Sequence, residues 1–221
     1  MAHVRTPGTT VLLILASLAA SSALLRADAI QLHSPHQLGG HPETIFHEIH
    51  IDLLLSPYVV PTSDNVVTFT LAVGEWRRLD EGVNVLSDFL PGTGLLYTNG
   101  NNGFDLNGQG SVGGGGSGPV EIEFAEGVRA VGLHAEAMVL GPEVFTFSAY
   151  NGPELLGTFT VSRVNGQQED GSASFLGVRA TGKDVITRIV ISSVVFQLGV
   201  AHENEFAFGP VSYRAAPGSR K

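Results

Sequence analysis

Apolar and polar residues alternate along much of the chain, most clearly in residues 144–150, where Phe, Phe and Ala alternate with Thr, Ser and Tyr. A period of two residues places successive side chains on opposite faces of a β-strand. The same criterion predicts strands at residues 45–51, 66–73, 120–124, 128–138, 144–150, 155–162, 173–179, 186–192 and 205–213. The chain is therefore predicted to be built mainly from short strands.

Turn residues separate these strands, and the chain contains 28 glycines but no long helical pattern. Short strands joined by tight turns are typical of sandwiches and barrels. We therefore predict an all-β fold, a jelly-roll-like antiparallel β-sandwich, as one domain over residues 45–214. An irregular leader at residues 30–44 precedes it, and a tail at residues 215–221 follows it.

A signal peptide is predicted at residues 1–29. An apolar run at residues 11–20 follows Arg5, and Ala27-Asp28-Ala29 offers a cleavage site before Ile30. The order of a basic start, an apolar core and a small-residue site is typical of secretory signals. The run is shorter than the roughly 20 residues that span a bilayer. We expect a secreted or periplasmic protein with no transmembrane segment after cleavage.

The net charge excludes one class of partner. It is −9 for the whole chain, and loss of the signal peptide would leave 10 basic and 20 acidic residues. An acidic surface repels phosphate backbones, so we expect no binding to nucleic acid. Cysteine is absent, which excludes disulfides, thiol catalysis and cysteine-based zinc sites.

Two segments carry residue types that bind metals, although no cofactor is predicted. The leader and first strand are rich in histidine, and imidazole suits zinc or copper; the residues are His33, His36, His41, His47 and His50. In the Asn/Gly-rich stretch 99–118, Asn101 and Asp105 offer oxygen ligands for calcium. A polar leader and a turn-rich loop explain the same residues, so zinc and calcium sites remain open alternatives.

Three aromatic residues could bind a sugar: Trp76, Tyr97 and Tyr150. Each offers a flat apolar face with a polar group, although packing in the core is the alternative. Glu121 and Glu123 lie two residues apart, a spacing compatible with a glycosidase pair, but any solvated strand face gives that spacing. No nucleophile motif is present. A binding protein is therefore favoured over an enzyme.

Several stretches resemble a recurring bacterial pattern: residues 127–133, 145–150, 154–160, 173–178 and 186–191, with an entry half at residues 77–80, 88–92 and 95–100. Over about residues 66–213 the chain is similar to the exported β-sandwich domains of PEP-CTERM-type bacterial proteins. The resemblance implies a jelly-roll-like sandwich, reminiscent of carbohydrate-binding modules, and no particular activity.

The chain departs from that family in two places. Such proteins often end in a Pro-Glu-Pro motif, an apolar span and a basic tail, but residues 215–221 contain no apolar span, so we expect release rather than anchoring. Residues 205–210 lack the Asp-Asn pair that relatives carry near a calcium site. The sequence thus predicts an exported, non-enzymatic protein that interacts with a surface, a matrix or an extracellular polysaccharide. The alternatives are a polysaccharide-active hydrolase and a periplasmic metal-binding protein using the His-rich leader.

Overall fold

The computed structural model describes residues 28–39, 42–45, 53–54, 56–71, 75–79, 88–89, 95–99, 118–137, 139–166 and 170–218. These residues form strands and one short 3-10 helix, Pro35–Leu38. The strands are β1 (Ala29–Leu32), β2 (Glu43–Ile45), β3 (Leu53–Leu54), β4 (Tyr58–Pro61), β5 (Val66–Leu71), β6 (Glu75–Leu79), β7 (Leu95–Asn99), β8 (Val120–Ala137), β9 (Gly141–Asn151), β10 (Glu154–Asn165), β11 (Ser174–Ala180), β12 (Ile186–Gln197), β13 (Val200–Glu203), β14 (Phe206–Phe208) and β15 (Val211–Ala215). The prediction of an all-β fold is confirmed.

The longest strand, β8, organises the fold because it takes part in two ladders of antiparallel strands. Its first half pairs with β12 and β5, which gives a first ladder in the order β10, β9, β12, β8, β5, β4. Its second half pairs with β11 on one side and with β15 and β14 on the other. The second ladder continues through β11 to β1, through β15 to β2, and through β14 to β7, β6 and β3.

β8 passes from one ladder to the other near residues 125–127. The in-and-out burial pattern of the strand breaks there, and its register with β12 shifts between Ile186 and Arg188. Gly127 permits a close approach at this point, because a Cβ atom on it would lie 2.5 Å from Cγ2 of Val185. The two strands predicted at 120–124 and 128–138 are therefore one continuous strand.

Both ladders contribute aromatic side chains to one buried core. Phe69 of β5 stacks on Phe208 of β14 at 6.1 Å between ring centroids, and Phe145 of β9 meets the edge of Phe206 at 5.5 Å. All four rings are fully buried. Burial of such rings is the main favourable term in folding, so this core holds the two ladders together. The jelly-roll connection order remains a prediction.

The segment at residues 30–44 differs from the irregular leader that was expected. It contains most of β1, the 3-10 helix and the start of β2. β1 pairs with β11, and Leu32 and Leu38 are buried against Ala130 of β8. These apolar residues gain more by packing on the sheet than by remaining in water.

The predicted signal peptide falls almost entirely on residues 1–27, which lie outside the described residues. Its predicted cleavage point, between Ala29 and Ile30, lies within β1. Within the described ranges, the chain has no helix of the length and apolar character required to cross a membrane.

Candidate functional site

Tyr150 lies on the solvent-facing side of the first ladder, near the hairpin that joins β9 to β10. The guanidinium carbon of Arg188 lies 4.3 Å from the centroid of its ring, a cation–π distance. Arg188 in turn donates a hydrogen bond from Nη1 to Oε2 of Glu121 at 3.2 Å. An aromatic ring, a cation and a carboxylate are thus joined on one open face.

This group belongs to a row of cross-strand neighbours that runs over six strands. In order, the row contains Leu155, Tyr150, Arg188, Glu123, Thr68 and Val59. At a spacing of about 4.8 Å between strands, the row is about 24 Å long. A parallel row beside it contains Thr158, Ser148, Val190, Glu121 and Thr70. Hydroxyl groups therefore flank the Tyr150 row, and two of them, on Ser148 and Thr158, hydrogen-bond at 2.8 Å.

The other two predicted sugar-binding aromatics lie in the second ladder. Trp76 of β6 pairs with Thr98, and Tyr97 of β7 pairs with Arg77. At Trp76 and Tyr97 the structure describes the backbone but not the side chain. Trp76 and Tyr97 are therefore on adjacent strands, whereas Tyr150 is on the other ladder, and the three do not share one row.

Most of the predicted metal ligands lie outside the described residues: His41, His47, His50, Asn101 and Asp105. His33 follows β1, His36 lies in the 3-10 helix, and both are exposed. In the described part of the chain, no three His, Asp or Glu side chains are arranged to hold a metal ion.

A buried polar cluster lies where β8 and β10 end and where β9 and β11 begin. Its carboxyl groups belong to Asp88, Glu136 and Glu143, which are 1%, 3% and 1% exposed. The guanidinium of Arg163 forms ion pairs with Asp88 and with Glu143, the latter at 3.3 Å from Nε to Oε1. The cluster thus holds three buried carboxyl groups beside one partly exposed cation.

Hydrogen bonds from the chain itself occupy these carboxyl groups. The backbone N–H of Asp88 donates to Oε2 of Glu136 at 2.7 Å, and that of Gly166 donates to Oδ2 of Asp88 at 3.0 Å. Glu143 accepts from the backbone N–H of Ala137 at 2.8 Å. These hydrogen bonds and ion pairs therefore hold the segment that contains Asp88 against the ends of three strands.

Burial raises the pKa values of two carboxyl groups in the cluster. Desolvation, together with the charge of Glu143, raises the pKa of Glu136 to about 8, although a hydrogen bond from Asn165 acts in the opposite direction. Desolvation also raises the pKa of Glu143, against the effect of its bonds to Ala137 and Ser174. Glu136 is therefore mainly protonated at neutral pH. Fewer than three negative charges then surround the positive charge of Arg163.

No known family model matches this sequence, and none of the curated proteins matches it either. The likeness to PEP-CTERM-type domains therefore remains a prediction from sequence.

The buried cluster was absent from the sequence prediction, although two of its members carry a signal. Glu143 has the same strand parity as the buried Phe145, and Arg163 has the same parity as Phe159 and Val161. A charged residue on the apolar parity of a strand indicates a buried, paired group. The involvement of Asp88 has no such signal, because the contact depends on tertiary structure.

Proposed function

We propose that this protein is an exported, non-enzymatic binding protein that holds an extracellular polysaccharide on the open face of the first ladder. The observation that carries the proposal is the joined group of Tyr150, Arg188 and Glu121 on that face. An aromatic ring packs on the apolar face of a sugar ring, while carboxylate, guanidinium and hydroxyl groups hydrogen-bond its hydroxyls. A row about 24 Å long offers contacts to several sugar units.

The charge of the protein favours an uncharged polysaccharide. The chain carries a net charge of −9, and long polyanions are repelled by a protein of the same sign. On the Tyr150 row, the exposed Glu123 lies next to Arg188. A carboxylate acceptor and a guanidinium donor for the hydroxyl groups of a neutral sugar therefore lie side by side.

The buried carboxyl groups support binding over hydrolysis. A glycosidase presents two carboxyl groups to a sugar across a cleft. Glu136 and Glu143 instead accept hydrogen bonds from the backbone N–H groups of Asp88 and Ala137. These two carboxyl groups therefore form hydrogen bonds within the fold rather than with a sugar.

Affinity gel electrophoresis of the purified chain against cellulose, xylan, a β-1,3-glucan and starch tests the proposal. We expect at least one neutral polymer to retard the protein, Tyr150→Ala to abolish the retardation, and Tyr150→Phe to keep most of it, because the ring remains. Phe196→Ala is a matched control: its ring is 51% exposed on the same sheet, but it lies about 27 Å along β12 from Arg188. If no polymer retards the wild type, or if Tyr150→Ala is retarded equally, the proposal is wrong.

Export is tested separately by N-terminal sequencing of the protein recovered outside the cytoplasm. The sequence pattern predicts a first residue of Ile30. An intact N-terminus on a protein that remains in the cytoplasm would contradict export without bearing on sugar binding.

A further inference from the structure

Two arginine side chains converge above the second ladder. Arg179 of β11 and Arg214 of β15 both pair with Ala130 of β8, one from each side. A Cβ atom on Gly39 would lie 3.4 Å from Nη1 of Arg214 and 3.7 Å from Nη2 of Arg179. The two nitrogens are therefore separated by no more than the sum of these distances, and two positive charges face one small space.

These two cations lack a counter-charge in the part of the chain that the structure describes. The other three arginines with described side chains all donate to oxygen atoms, as Arg188 does to Glu121. The side chains of Arg179 and Arg214 form no hydrogen bond or ion pair with any described residue, and Nε of Arg179 is buried without an acceptor. A buried donor without an acceptor is rare and costs free energy, so this nitrogen points to a missing acceptor.

The chain that borders this space is held in place by packing. Leu38, at the end of the 3-10 helix, is buried against Ala130, and Gly39 follows with a φ of 70°. This left-handed conformation favours glycine, and the absence of a side chain at this position leaves room between the two guanidinium groups. Arg214 is exposed and Arg179 half-buried, so the space is open to solvent.

We propose that Arg179 and Arg214 bind a small, doubly charged oxyanion such as phosphate or sulfate. Guanidinium groups offer planar forks of donors that match pairs of oxygen atoms, and two forks from opposite sides suit a tetrahedral anion. The anion would neutralise the like-charge pair by accepting from the Nη groups that border the space. A small ion fits better than a polyanion because the net charge of −9 repels extended anions. This site lies on the second ladder, so it does not depend on the proposed polysaccharide row.

Thermal unfolding of the purified chain in sodium phosphate or sulfate, against sodium chloride at the same ionic strength, tests the site. An anion that binds only the folded state raises Tm. We expect this increment in the wild type and its loss in Arg179→Gln and Arg214→Gln. Lys183→Gln, which removes one exposed positive charge elsewhere, should keep the increment. Each variant is compared with itself in chloride, so any change in its folding stability cancels.

Isothermal titration with the same ions measures the affinity directly. We expect each arginine variant to bind at least about tenfold more weakly, the usual scale for loss of a charge-assisted hydrogen bond. The proposal is overturned if the wild type shows no increment over chloride, or if both arginine variants keep it. Dextran sulfate is a further probe: tighter binding than inorganic sulfate would overturn the choice of a small ion.

Discussion

Replacing Glu136 by glutamine should remove much of the loss of stability that we expect as the pH rises from 5 to 9. Glutamine keeps the shape of the side chain and an oxygen acceptor for the backbone N–H of Asp88, which lies 2.7 Å from Oε2. It removes the titrating proton. The variant therefore separates the charge of the buried group from its packing.

The sign follows from the raised pKa of about 8, against an ordinary value of 4.5. Below pH 4.5 the Glu136 carboxyl group is protonated in both the folded and the unfolded chain. Between these two values the unfolded chain releases a proton that the folded chain keeps, so the folded state loses stability as the pH rises. Above about pH 8 the folded state also ionises, and the loss levels off.

The magnitude follows from proton linkage. One proton difference changes the free energy of unfolding by at most about 1.4 kcal/mol per pH unit, or on the order of 5 kcal/mol between pH 4.5 and about pH 8. Arg163, beside Glu143 and Asp88, is 18% exposed, so solvent screens the cluster, and we reduce the expected loss to roughly 2 kcal/mol. The total free energy of unfolding of a small domain is roughly 5–15 kcal/mol, so a loss of this size is measurable.

Urea unfolding at pH 5, 6, 7, 8 and 9 measures the effect in the wild type and in Glu136→Gln. The difference between the two proteins should grow with pH in favour of the variant, by roughly 2 kcal/mol at pH 9. Glu143 titrates in both proteins, and because its charge acts on Glu136, the difference measures Glu136 together with its coupling to Glu143. Glu123→Gln, at an exposed position of the same strand, is the control and should follow the wild type. Parallel curves for wild type and Glu136→Gln would refute the reasoning.

Three further changes test the packing. Gly132→Ala should destabilise the fold by about 1–3 kcal/mol, because its Cβ would lie 2.5 Å from Cζ of Phe175; in urea unfolding, a Phe175→Ala background should remove most of that cost. Phe208→Ala should cost about 3–5 kcal/mol through an unfilled cavity, since Phe208 is fully buried, whereas an equally stable variant would mean that the core collapses around it. Leu198→Asn should raise Tm by relieving about 1 kcal/mol of strain, because Leu198 is 99% exposed with a φ of 50°; a lower Tm would indicate a contact made by the leucine.

The strands of the second half could be predicted because their signal is local. Alternation in residues 144–150 reports which face of β9 meets the core, and the turn at Asn151 and Gly152 marks the end of that strand. Strand ends were less accurate. The strand predicted at 186–192 continues to Gln197, because its extension pairs with β9 on one side and with β13 on the other.

The candidate sites were predictable only in part. Tyr150 was identified from residue type, but its partners Arg188 and Glu121 lie on other strands, and their approach depends on register. The buried cluster joins residues from Asp88 to Arg163, and the arginine pair is joined to the leader at Gly39. No spacing along the chain indicates such contacts, since they depend on which strands become neighbours.

By itself, the amino-acid sequence determined the all-β class, the position of most strands in the second half and the acidic charge, because a period of two residues, turn chemistry and charge are local properties. Tertiary structure decided the rest. It placed β8 in both ladders, folded the expected leader onto the sheet, buried Glu136 beside Glu143 and brought Arg179 to Arg214. Each of these depends on pairing between distant segments, which is selected by the burial of the whole core rather than by any one stretch of the chain.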